Sequence, residues 1–100
     1  MSRPKLTTAI FGATTRRILA LSLQNDGKFK YPFSREEGIS DSLASKGIAS
    51  LQAHGIMREA PEQTDPEGHK VFELLEEDKR YITNIFLALS EYENYRDERN

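Results

Sequence analysis

Positions 38 to 55 spell out a complete helix signal, bracketed by glycines, and no other stretch constrains the fold as much. Ser40 can cap a helix start, because its hydroxyl satisfies N–H groups that the first turn leaves without partners. After it, Ala44, Ile48 and Leu51 recur at i, i+4 and i+7 and make one apolar stripe over residues 41–54, while Gly47 lets a second backbone come close beside it. The opposite face presents Asp41, Ser42, Ser45, Lys46 and Ser50. Gly55 supplies the residue at which such a helix ends. A helix of this kind buries one side only, so the rest of the chain must build a layer beneath it.

That layer can be read on both sides. Residues 14–24 carry Ile18, Leu19, Leu21 and Leu23 and read as a helix stopped by Asn25-Asp26-Gly27, with residues 1–13 as an N-terminal arm. Lys28-Phe29-Lys30-Tyr31-Pro32-Phe33 alternates like a short edge strand, its aromatic residues serving as packing. Ser34 and Glu37 have capping-box spacing, which predicts a brief helix that Gly38 breaks. Residues 56–60 and 69–74 read as a hairpin, joined by a turn-rich connection over 61–68. From Glu76 to about Arg96 the pattern is helical again, with acids in the first turn where the helix dipole favours them. The expectation is a mainly α domain with a small β-hairpin, in the order α-β-α-α-β-β-α: domain 14–75, followed by a C-terminal helix over 76–100.

Composition narrows the function classes. One hundred residues support one small core and exclude a large enzyme. No apolar run approaches the ~20 residues of a membrane span. Nothing at the N-terminus resembles a secretory signal, so a cytoplasmic protein without membrane contact is expected. Cysteine is absent, and His54 and His69 read as a helix-end residue and a loop residue rather than metal ligands. No catalytic constellation, phosphate-cradling glycine loop, cofactor motif or small-molecule pocket is legible. The net charge of −2 hides an asymmetry, +4 over residues 1–20, +1 over 21–58 and −7 over 59–100. A basic N-terminal half can lie against phosphate with the acidic half turned away.

The turn and helix Gly38-Ile39-Ser40-Asp41-Ser42, the pair Ser45-Lys46, and the close Leu51 to Gly55-Ile56 together resemble winged helix-turn-helix regulators of the MarR-like kind. Phe29-Lys30-Tyr31-Pro32-Phe33-Ser34 is similar to the entry of winged helices in some plasmid and phage replication proteins. The resemblance implies double-stranded DNA as partner, a recognition helix over 41–54, and a role as a small transcriptional regulator or as a replication or partition module. A winged helix that only binds protein is the competing reading. Residues expected on DNA are Ser40, Asp41, Ser42, Leu43, Ser45, Lys46 and Ser50, joined by Arg16, Arg17 and Arg35. The connection over 61–68 is acidic, so any wing contact is expected only at its base, through His69 and Lys70.

The last helix carries a wider apolar stripe than docking on one small domain requires. Ile82, Phe86 and Leu89 lie on one side, and Tyr81, Ile85, Ala88, Tyr92 and Tyr95 adjoin them. This predicts a homodimer with antiparallel helices about a two-fold axis, completed by Leu6, Ile10 and Phe11.

Overall fold

The chain is described by a computed structural model that covers residues 12–63 and 65–99. Helix α1 (Ala13–Gln24) turns Thr15, Ile18, Leu19 and Ser22 inward. The buried Ser22 hydroxyl donates to Ile18 O at 2.8 Å, and among the described residues no buried side-chain polar atom lacks a partner. The chain leaves α1 through Asp26 at φ 58°, and the Gly27 N–H bonds Ser22 O at 2.7 Å. Strand β1 (Lys28–Phe29) follows, then α2 (Tyr31–Glu36) and α3 (Asp41–Ala53). Strands β2 (Met57–Glu59) and β3 (Phe72–Leu74) lead into α4 (Glu76–Arg99). The architecture is mainly helical with a small antiparallel sheet, and the element order is the expected one.

The sheet has three strands in the order β1-β3-β2, with Phe29 opposite Phe72 and Met57 opposite Leu74. Those four side chains are buried, while Lys28, Glu73 and Arg58 make a charged row across the other face. The core lies between the inner face of the sheet and α1, α3 and the start of α4, around Ile18, Leu19, Phe29, Ile48, Leu51 and Ile82.

Helix ends are set by the same device twice. After α2, Gly38 N–H bonds Arg35 O and Ile39 N–H bonds Ser34 O, both at 3.0 Å, with Gly38 at φ 77°. After α3, Gly55 N–H bonds Gln52 O and Ile56 N–H bonds Leu51 O, again both at 3.0 Å. In each case a left-handed glycine reverses the chain and the apolar residue after it, Ile39 or Ile56, drops into the core.

Four local expectations need correction. The strand predicted over 28–33 ends at Phe29, and α2 begins at Tyr31 with Pro32 in its first turn, where a missing N–H costs nothing. Ser34 is therefore not an N-cap but an interior residue, fully buried, whose hydroxyl donates to Tyr31 O at 2.9 Å. The hairpin strands are shorter than predicted. The boundaries of α1 and α4 move outward, to Ala13 and Arg99.

The close approach of α1 and α3 generates the first prediction. A Cβ on Gly47 would stand 2.6 Å from Ile18 Cδ1, in a fully buried place. Gly47→Ala gains about 1 kcal/mol of helix propensity but incurs an overpacking cost of about 1–3 kcal/mol, so a net loss of stability is expected. Ile18→Val deletes the obstructing methyl, so the double variant should be more stable in urea than the summed single effects. Additive single effects would show that the two helices do not touch there. Ile48→Ala, which leaves a cavity instead, should cost about 2–5 kcal/mol.

Candidate nucleic-acid interface

The side of α3 that does not face the core is built from small polar and apolar residues. Ser40 caps it by accepting from Leu43 N–H at 3.2 Å. Ser42, Ser45, Lys46, Ala49 and Gln52 are exposed along its length, Leu43 is 49% exposed, and Ser50 is half-buried on the flank. Lys46 forms no ion pair among the described residues. Short side chains at 42, 45 and 49 leave the helix surface able to come close to a partner.

Helix α2 holds two of these residues in place. Tyr31 Oη lies 2.8 Å from Ser45 Oγ, and the Tyr31 ring is fixed edge-on between Phe29 and Phe72, at centroid distances of 6.3 and 6.0 Å. Arg35 grips Asp41 with two bonds, Nε to Oδ1 at 3.0 Å and Nη2 to Oδ2 at 2.7 Å. That fork holds the Asp41 carboxyl below its ordinary range and cancels its charge at the start of α3. Arg35 and Asp41, both expected to contact a ligand, are thus each other's partners. Tyr31 and Gln52 belong to the site but were not among the predicted residues. Tyr31 was assigned to strand packing, and Gln52 becomes visible only once the helix is continuous and exposed at that end.

The arginines of α1 go elsewhere. Arg17 Nη2 donates to Glu37 O at 3.1 Å and lies 3.6 Å from Glu37 Oε2, bracing the turn between α2 and α3. Arg16 and Arg17 also line a groove of about 340 Å³ against Phe86, Leu89 and Glu93 of α4. Arg16 is exposed on α1.

The β2–β3 connection is tied down rather than splayed. Asp65, with 4% of its side chain exposed, accepts from Lys30 Nζ at 3.1 Å and from His69 N–H at 3.0 Å, and His69 Nδ1 lies 2.6 Å from its Oδ2. On the outer side, Arg58 bonds Glu62, and its Nε donates to Glu73 at 2.6 Å. Of the two basic residues expected at the base of this loop, His69 is turned onto Asp65 and Lys70 is exposed. Leu6, Ile10 and Phe11, expected at a dimer contact, lie outside the described residues. Among the described residues no group of His, Asp or Glu is arranged to hold a metal ion. No helix among them is long and apolar enough to cross a membrane.

Asp65 yields a pH prediction. Burial alone would raise its carboxyl, but the bonds from Lys30 and His69 outweigh that and bring it from 3.8 to about 2. Its folded pKa is depressed, so its contribution is present above the unfolded value and is lost as pH falls toward the folded one. Asp65→Asn should therefore lower stability by a constant amount at neutral pH. The gap from the parent protein should close between about pH 4 and pH 2, as read by chemical denaturation. A gap that persists unchanged at pH 2 would mean that the carboxylate charge does not organise the loop.

No family model matches this chain, and no curated protein or solved structure matches it either.

Proposed function

We propose that this chain is a winged helix-turn-helix protein that binds double-stranded DNA sequence-specifically through α3, as a small homodimeric transcriptional regulator. The observation that carries this reading is the outer face of α3. The helix is capped, terminated by a glycine turn and docked by its other side, so it offers Ser42, Ser45, Lys46 and Gln52 on a rigid support. In a major groove, hydroxyls can bond base edges or phosphates, Lys46 can reach guanine or phosphate, Gln52 can bond adenine on two atoms, and Leu43 can touch a thymine methyl. Arg35 removes the repulsion that a bare Asp41 would exert on phosphate. In this reading the β2–β3 connection is the wing, held against the body by Asp65 and able to touch the backbone through Lys70.

A second reading has its own observation. Arg17, Lys30, Arg35 and Arg58 are each paired with an acid, so Lys46 is left as the cation of the α3 face. A nearly neutral helix surface also suits a protein partner, and several winged helices serve only in assembly.

Fluorescence anisotropy on random-sequence duplex DNA across a salt series separates the two. DNA binding predicts affinity that falls steeply with salt, and Lys46→Ala should flatten the log–log slope by about one. Replacing Ser45 and Lys46 together by alanine should weaken binding without altering the fold by circular dichroism. Unchanged affinity in that variant would show that the α3 face is not the one used, and no binding at low salt would favour the protein partner.

A further inference from the structure

Hydroxyls on these helices commonly turn back onto the backbone that carries them. Ser22 donates to Ile18 O at 2.8 Å and Thr83 to Lys79 O at 2.7 Å. Ser45 makes no such bond among the described residues, and its Oγ lies instead 2.8 Å from Tyr31 Oη, across the gap between α3 and α2. Two hydroxyls at that distance share one hydrogen, so the other O–H of the pair remains for a third group. Chemistry and anchoring decide which one remains. A phenolic O–H donates more readily than an aliphatic one and accepts less readily. The Tyr31 ring is also held edge-on by the buried rings of Phe29 and Phe72, which keeps its oxygen in place, whereas Ser45 is exposed and its hydrogen can rotate. The bonds therefore run outward, from Tyr31 O–H to Ser45 Oγ and from Ser45 O–H to whatever faces α3. Each bond in such a chain polarises the next, which strengthens Ser45 as a donor.

We propose that Tyr31 is a positioning residue that sets Ser45 as a hydrogen-bond donor, so that α3 selects a base edge offering an acceptor and disfavours cytosine at the base that Ser45 faces. The inference rests on the reading of α3 as the DNA-contacting helix and adds the chemistry of one contact within it. Alone, a serine hydroxyl is indiscriminate, since it can donate to one base edge and accept from another. With Tyr31 donating into it, the Ser45 oxygen already accepts one hydrogen and its own hydrogen points away from that bond. Guanine, adenine and thymine each present an acceptor in the major groove, but cytosine presents only an amino group there. That amine would have to donate to an oxygen that is already accepting from Tyr31. A phosphate oxygen is an acceptor as well, but it would take the Ser45 hydrogen without regard to sequence.

Duplexes randomised over their central base pairs, recovered by the full chain and sequenced, provide the test. At one base the parent protein should disfavour cytosine about fivefold, the effect of one neutral hydrogen bond. Ser45→Ala should erase that preference, and Tyr31→Phe, which removes one oxygen and keeps the ring, should erase most of it. In Ser45→Ala chains, Tyr31→Phe should change the preference no further, because the two hydroxyls act as one unit. The salt slope of Tyr31→Phe should match the parent's, since no phosphate contact is lost. If Tyr31→Phe weakens binding equally on every sequence, or if its effect adds to that of Ser45→Ala, Tyr31 only supports the helices or serves a phosphate contact, and the proposal is overturned. A parent protein that selects cytosine at that base overturns the donor assignment. Preferences unchanged in Tyr31→Phe overturn the inference and leave DNA binding through α3 standing, whereas a parent protein that recovers no duplex removes both.

Discussion

The contact between Gly47 of α3 and Ile18 of α1 sets the spacing on which the other elements depend. With no Cβ at 47, the Ile18 side chain lies directly against the α3 backbone, flanked by the Thr14 and Thr15 methyl groups. This close crossing seals Ala44, Ile48 and Leu51 against α1 and fixes the direction of α3. Helix α2 then has one place to sit, because the Gly38 turn is too short to let it wander, and Ile39 plugs the space beneath the turn. The exposed face of α3 is therefore a by-product of how its buried face must pack.

The polar contacts refine that frame instead of creating it. Arg35 with Asp41 and Arg17 with Glu37 are exposed pairs, of the kind that contribute little to stability. Their effect is directional, since each consumes a cation near the start of α3. Asp65 differs because its side chain is almost wholly enclosed, and one carboxylate gathers a lysine, a histidine ring and a backbone N–H. A long connection rich in turn formers becomes an ordered loop because a single buried acid would otherwise lack partners.

Much of the fold was legible in the sequence, and the reasons are local. The α3 stripe, the Ser40 cap and the glycines at 38 and 55 act within a few residues, so they read correctly in isolation. The region 28–33 did not, because Phe29, Tyr31 and Phe33 alternate like a strand although only Phe29 pairs in the sheet. Tyr31 and Phe33 reach Phe72 and Phe29 from a helix, and Pro32 marks that helix's first turn rather than a strand's end. Ser34 shows the same ambiguity, as capping-box spacing says nothing about whether a helix has already begun. Of the site, the outward residues of α3 were legible from periodicity. The partners of Arg17, Arg35 and His69 were not, because they arise from tertiary geometry. Ile85 illustrates this too: it was grouped with the exposed stripe, yet it is half-buried against the core at the edge of that stripe.

Charge bookkeeping by segment also changes meaning once the fold is known. The basic excess over residues 1–58 suggests a broad cationic surface, but Arg17, Lys30, Arg35 and Arg58 spend their charge on acids of neighbouring elements. Affinity for a polyanion grows with the number of phosphates neutralised, and one α3 face carrying Lys46 neutralises few. A DNA-binding role for such a domain therefore has to draw on shape, on hydroxyl and amide contacts in the groove, and on two faces acting together. With Lys46 as the cation of the α3 face, non-specific phosphate contact through that face is limited, so specific contacts would account for a larger share of any affinity it has.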